Sequence, residues 1–341
     1  MKMYDLKFID AHTHLSGSET GETAQEIVAC LDACNVEHAF VFAPLLKVRA
    51  WQLAAEDLAD IRTHNDYCAD ICSQAPERLF GFCVLNPAPG LAHGSLKHAV
   101  ELMVEEVRRC YHDLGLRGVK MVPARWYPND DLLLPLYQEI ARLGMYLVFH
   151  SGIFIDGREG NYCRPAYYEI IREVPSLKVQ LAHLSWPWVE ECLAVLGMET
   201  TIHGTDSAQW QLRADLSFGP PEDWQLDSWL RAMSSIPHGM LCYGSDVFWP
   251  CTPERYLEKY LYPQLGLFEV SVTHGHIASE GSPTRTQLRE RIFYGNVLEH
   301  WQMAVHEPQQ PRAAPSNARG KNKLRTQCVS ASTCPEMNLF Q

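Results

Sequence analysis

No apolar run in this chain approaches the roughly 18 residues that a membrane-crossing helix needs, so no helical span is expected. The first residues, Met1-Lys2-Met3-Tyr4-Asp5, lead straight into a strand-like segment. They lack the apolar stretch and small-residue cleavage site of a secretory signal, which points to a cytoplasmic protein. Positive charge is scarce: 29 Lys and Arg stand against 41 Asp and Glu, a formal net charge of −12. A nucleic-acid partner is therefore not expected, because phosphate binding needs clustered Lys and Arg. Cys-x-x-Cys pairs are missing although the chain has 12 cysteines. The pairs Cys30/Cys34 and Cys68/Cys72 lie one helical turn apart and read as reduced thiols on helix faces, not as half of a metal site. No Gly-x-Gly-x-x-Gly follows the first strand, which weakens an open dinucleotide-binding sheet.

What the chain does contain is alternation. Short apolar runs predict strands at Lys7 to Leu15, His38 to Ala43, Leu79 to Leu85, Gly118 to Val122, Tyr146 to His150, Lys178 to His183, Arg213 to Phe218 and Met240 to Tyr243. Most are continuously apolar, as parallel strands buried on both faces must be. Amphipathic helices are predicted between them, at Glu22 to Ala33, His98 to Cys110, Leu132 to Leu143, Tyr167 to Glu173 and Trp188 to Leu196. This is the pattern of an α/β protein closed as a (β/α)8 TIM barrel. Residues 44–77 are long for one connection and are expected to add one or two helices capping the barrel mouth. Residues 197–212 are polar and are expected as a loop over the same end. The barrel domain is assigned to residues 1–307. Residues 308–341, rich in Pro, Gln, Ser and basic residues without apolar period, are expected as a disordered tail.

In such a barrel, chemistry gathers at the C-terminal strand ends. Polar residues there are informative, because an apolar strand gains nothing by ending in a ligand. The first strand ends Asp10-Ala11-His12-Thr13-His14, and in an extended strand residues two apart share a face. His12 and His14 are thus placed to reach one divalent metal, with Asp10 expected on the same face. The second His-x-His, His274-Gly275-His276, precedes turn-forming residues and reads as loop. The fifth and sixth predicted strands end in His150 and His183, and the eighth runs into Gly244-Ser245-Asp246. Lys120 lies inside the fourth, as a buried charge needing a carboxylate, Asp10 or a substrate acid. Four histidines and an aspartate at four strand ends point to a metal site.

The order Asp-x-His-x-His, His150, His183, Gly-Ser-Asp246, with Gly-Val-Lys-Met-Val-Pro on the fourth strand and a late Tyr294-Gly295-Asn296, resembles the amidohydrolase superfamily. It is most similar to the amidohydrolase-related branch of metal-dependent hydrolases and aminocarboxymuconate-semialdehyde-type decarboxylases. The resemblance spans about residues 7–303. It implies a barrel with a metal at its mouth, bound by His12, His14, His150 and Asp246, with His183 and Asp246 catalytic. One divalent metal is implied, zinc first, with manganese or iron as alternatives. In some superfamily members a strand-four lysine bridges a second metal, which keeps Lys120 in view for that role. Position alone suggests Arg125, Arg164, Trp186 and Trp249 as substrate contacts, the arginines suiting an acidic group. The expected activity is hydrolysis of a small acidic or cyclic ester, lactone or amide by a metal-activated water. Non-oxidative decarboxylation at the same site is the alternative, and a non-catalytic binding barrel is a third reading. The expected partner is a small molecule, with no nucleic acid and no membrane, and a homodimer is left open.

Overall fold

In the computed structural model, which describes residues 6–45, 58–88, 95–154, 159–217, 219, 221–274 and 283–306, nine parallel strands form one sheet. They are β1 (Phe8–Leu15), β2 (Val36–Phe42), β3 (Leu79–Leu85), β4 (Gly118–Met121), β5 (Tyr146–Phe149), β6 (Val179–Leu181), β7 (Leu212–Asp215), β8 (Leu241–Cys242) and β9 (Val247–Trp249). Neighbours run in order from β8 down to β1, and β9 pairs with the outer side of β1. Because β8 and β9 are one passage of chain, four residues apart, this order closes the ring. Two backbone bonds complete the seam: Ala11 N–H donates to the Tyr243 carbonyl at 3.1 Å and Asp246 N–H to the His12 carbonyl at 2.8 Å. The TIM barrel is thus the observed fold, and all eight anticipated strands are present. The ninth, Val247–Trp249, was not anticipated; its three residues are too few to show a period of their own.

The helices follow local signals. Helix α1 (Ala24–Ala33) opens with a capping box between Thr23 and Glu26 and buries Ile27, Cys30 and Leu31. That box satisfies two otherwise orphaned backbone donors. Helix α2 (Leu58–Cys72) packs on β3, with Cys68 and Cys72 buried. It is therefore part of the barrel wall rather than a cap, and the rest of the long connection, 46–57, lies outside the described residues. Helix α3 (Leu96–His112) starts at the Ser95 cap, and α4 (Leu134–Arg142) follows a 3-10 turn. The expected helix at Tyr167 to Glu173 is a 3-10 helix, Pro165–Glu173. Helix α5 (Val189–His203) corrects the expected loop at 197–212: it continues to His203 because Glu199 points inward, its carboxylate accepting the Gln211 N–H at 2.5 Å. Helix α6 (Glu222–Ser235) follows β7. The expected tail, 308–341, and His276 lie outside the described residues, while His274 ends the helix Tyr262–His274.

The core has two parts. The strand–helix shell is the larger. A smaller cluster, including Ile9, Ala11, Phe40, Phe42, Phe82, Tyr146 and Val148, fills the barrel itself. Its lower end is plugged by the last helix, Asn296–His306, where Trp301 stacks on Phe80 at 4.1 Å and His300 Nδ1 meets the Tyr146 hydroxyl at 2.7 Å. Among the described residues, no helix is long and apolar enough to cross a membrane.

Candidate metal centre

The register between β1 and β2 shifts between Asp10 and Thr13. An extra residue at such a bulge reverses the in–out alternation of the residues after it. Ile9 and Ala11 point into the barrel, yet so do His12 and His14: the His12 ring packs on Phe42 at 4.9 Å and the His14 ring at 5.1 Å. Asp10 is consequently not on their face, which corrects the expectation from strict alternation. Its carboxylate accepts the Tyr256 hydroxyl at 2.6 Å, Ser245 N–H at 2.9 Å and His12 N–H at 3.1 Å. Burial pushes its pKa up to about 6 against those hydrogen bonds. It pins β1 to the Tyr243–Asp246 segment and touches neither a histidine ring nor Lys120.

His12 Nε2 and His14 Nε2 lie 3.1 Å apart, and Asp246 Oδ1 lies 3.3 and 3.1 Å from them. The Nδ1 of His12 donates to Asp215 Oδ2 at 2.9 Å, so its Nε2 carries a lone pair. Lone pairs on two nitrogens and a carboxylate oxygen converge on one point, where they repel unless a cation lies among them. Ligand atoms about 2.0–2.2 Å from one ion sit roughly 3.0–3.5 Å from each other, which is the spacing found. These donors therefore fit a divalent metal. Burial lowers the pKa of both histidines, keeping them neutral and able to ligate. Burial alone would raise the Asp246 carboxyl, but the imidazoles of His14, His12 and His183 crowded around it favour its ionised form and hold it below the ordinary range. Gly244 makes the approach feasible, since a Cβ there would stand 2.8 Å from His12 Cβ.

His12, His14, Lys120, His150, His183 and Asp246 all line one cavity of about 290 Å³, with Leu45, Val122, Ile153, Phe154, Trp186, Gly219 and Phe248. His150 lies across the cavity, stacked on Phe154 at 4.2 Å and 5.1 Å from the His183 ring. It falls outside the cluster of ligand atoms within 4.8 Å formed by His12, His14 and Asp246. His183 follows β6 in a turn where His183, Leu184 and Ser185 all have left-handed φ, at 62°, 46° and 58°. Such a run of non-glycine residues costs about 1–2 kcal/mol each and persists where surrounding structure dictates it. Burial is the main reason the His183 pKa is pushed down to about 4, leaving it neutral at pH 7. Lys120 Nζ lies 3.4 Å from His12 Nε2 and 4.6 Å above the Phe42 ring. Burial lowers it to about 8, and among the described residues it forms no ion pair.

The anticipated substrate contacts divide. Trp186 lines the cavity. Trp249 is buried behind it, parallel to Tyr256 at 6.1 Å. Arg125 is exposed, and Arg164 is engaged by Glu191 at 2.5 Å; neither arginine is among the lining residues. Phe248 takes the position next to Trp249, stacked on His14 at 4.5 Å and 49% exposed at the mouth. Asp215 and Ser217, beside His12 and His183, were missed in the sequence. The signal was present, since Arg213-Ala214-Asp215-Leu216-Ser217 is another apolar strand ending in polar residues.

A family model described as Amidohydrolase matches residues 9–299. Several solved structures share the fold. The 5-carboxyvanillate decarboxylase of Sphingomonas paucimobilis has TM-score 0.57 and 12% identity, over 87% of this chain and 99% of that one. A dihydroxybenzoic acid decarboxylase from Polaromonas, solved with manganese and 2-nitroresorcinol, has TM-score 0.58 and 14% identity over 87% and 97%. A probable 2-pyrone-4,6-dicarboxylic acid hydrolase from Acinetobacter baumannii has TM-score 0.54 and 15% identity over 87% and 99%. With the family model spanning the whole barrel and a metal-fitting cluster at its mouth, the chain belongs to the amidohydrolase family.

Proposed function

We propose that the chain is a single-metal hydrolase that opens an ester, lactone or amide of a small, acidic, planar substrate. The observation that supports this reading is the buried His183, its pKa pushed down to about 4, beside but not part of the His12/His14/Asp246 cluster, where it would serve as a base next to the ion. His12, His14 and Asp246 would hold the ion, with His150 as the fourth ligand from the opposite wall. Zinc suits this His and carboxylate set, as do manganese and iron. A divalent ion held there supplies a Lewis acid and brings the pKa of a bound water toward neutrality.

The residues do the remainder. His183 takes the proton of the attacking water and returns it to the leaving oxygen or nitrogen. The Asp246 carboxylate orients that water by accepting its second proton in a hydrogen bond. The Lys120 ammonium, the sole cationic side chain among the described lining residues other than the histidines, meets the substrate's acidic group. Phe248 and Trp186 offer flat apolar faces to an unsaturated ring, and closure around it excludes water from the charged groups.

Decarboxylation is the second reading. It is supported by neighbours named as decarboxylases of hydroxylated benzoates, one of them with manganese. One experiment separates the two: the metal-loaded chain is offered lactones, esters and amides of planar acids beside hydroxybenzoates. Carbonyl cleavage without carbon dioxide release is the expected outcome. Carbon dioxide release with no carbonyl cleavage would replace the hydrolase reading with the lyase one.

A further inference from the structure

The end of β7 holds two side chains to which the proposed mechanism gives no part. Asp215 is fully buried and accepts five hydrogen bonds. Its Oδ2 receives His12 Nδ1 at 2.9 Å and Gln180 Nε2 at 2.7 Å. Its Oδ1 receives the backbone N–H groups of His183 at 3.0 Å and Ser217 at 3.1 Å, and the Ser217 hydroxyl. The same hydroxyl oxygen lies 2.8 Å from His183 Nδ1.

A serine hydroxyl has a single proton to give. It can go to the Asp215 carboxylate or to the His183 ring, not both. Hydrogen bonds to an ionised carboxylate are about twice as strong as neutral ones. Asp215 stays ionised, because the Gln180 amide and the backbone N–H groups of His183 and Ser217 all donate to its two oxygens, and such bonds favour the charged carboxylate. The proton therefore goes to Asp215, and the hydroxyl oxygen must accept from His183 Nδ1–H. His183 is then a neutral ring with its proton on Nδ1 and its lone pair on Nε2, the nitrogen left for the cavity it lines. His12 reaches the same tautomer directly, by its own bond to the other carboxylate oxygen. Packing holds the arrangement, because a Cβ at Gly219 would stand 2.5 Å from His183 Cβ and no side chain could intervene there.

We infer that Asp215 sets the tautomers of two histidines on different strands, His12 directly and His183 through the Ser217 hydroxyl, which makes Ser217 a positioning residue for the His183 base. The inference rests on the proposed role of His183 for its functional meaning, but the tautomer itself is measured without substrate. Nitrogen NMR of the ¹⁵N-histidine-labelled full chain, metal-free and zinc-loaded, reads which ring nitrogen is protonated, and His183→Asn assigns the signal. The wild type is expected to show Nδ1–H at both His12 and His183. Ser217→Ala should move His183 toward the Nε2–H form while leaving His12 and the bound zinc unchanged, and should lower kcat roughly tenfold with KM unaltered. Ser217→Thr, which keeps the hydroxyl, should restore the wild-type tautomer. A wild-type His183 protonated at Nε2, or a Ser217→Ala chain with an unaltered His183 signal, overturns the assignment. Expected tautomers in a chain that cleaves no carbonyl substrate leave the assignment standing and count against the hydrolase reading alone.

Discussion

At the scale of residues, the site is made by side chains that are individually uncomfortable. His12 and His14 are buried within 3.1 Å of each other, Lys120 is buried without an ion pair among the described residues, and His183 and Asp246 sit at left-handed φ of 62° and 60°. Strain and crowded polar atoms collect where a fold is shaped for a ligand instead of for stability. Each discomfort has a local support: Asp215 under His12, Ser217 under His183, the Phe42 ring under Lys120. The roles proposed for the two neighbouring histidines can be told apart. His12→Ala should lose most bound metal and all turnover. His183→Asn should keep close to one equivalent of metal and lose turnover by about 10²-fold or more, the usual contribution of a general base. Metal analysis of the two purified variants checks this, and equal loss of metal in both would exchange their roles.

At the scale of elements, the decisive feature is the irregular register of β1. A straight strand would put Asp10, His12 and His14 on one face; the bulge sends Asp10 to Tyr256 and Ser245 and keeps both histidines inside. Helix pairs are fastened by ions of a more ordinary kind. Glu139 on α4 bonds Arg142 at 2.5 Å on its own helix and Arg108 on α3 at 2.7 Å. The Arg142 hydrogen bond, against burial and with the help of Arg108, holds Glu139 down to about 2 from 4.5. A carboxyl whose folded pKa is depressed stabilises fully above its unfolded pKa and loses that contribution as the pH falls through the folded one. Here the window runs from about 4.5 down to about 2. Both arginines are half exposed, so screening reduces the effect to about 1 kcal/mol. Glu139→Gln should therefore cost about that much at pH 7, and the gap to the wild type should close between pH 4.5 and 2 in urea titrations. A gap that is constant with pH would assign the cost to packing.

For the whole barrel, the metal-fitting cluster straddles the seam. His12 and His14 belong to β1, and Asp246 lies in the short segment joining β8 to β9, where two backbone bonds complete the ring. An ion held by both sides clasps the closure, and anything that binds only the folded state stabilises it by mass action, about 2.7 kcal/mol at a hundredfold excess over Kd. Removing it with a chelator should lower the melting temperature by roughly 5 °C or more in a barrel of this size, with recovery on adding zinc or manganese. An unchanged melting temperature after verified metal removal would show that the seam does not depend on the ion.

Much of this is legible in the sequence because it is written in local patterns. Eight apolar runs, helical periods between them and caps such as Thr23 and Ser95 declare a βα repeat, and histidines ending apolar strands declare a site. The missed parts are those where distant segments decide. Strand β9 is three residues that exist as a strand because β1 lies beside them. Helix α5 continues to His203 because the Gln211 N–H, twelve residues on from the buried Glu199, donates to its carboxylate. Arg164 is available to substrate on sequence position alone, but Glu191 stands across from it and holds it. The sequence by itself determined the barrel, its family and the four histidines and Asp246 brought to its mouth, because periodicity and residue chemistry are properties of short segments. Only the tertiary structure decided which way each of those groups faces and what stands behind it: Asp10 outward, Asp215 beneath two histidines, Lys120 beside His12. Direction depends on register, bulges and neighbours hundreds of residues away, and no local pattern carries that information.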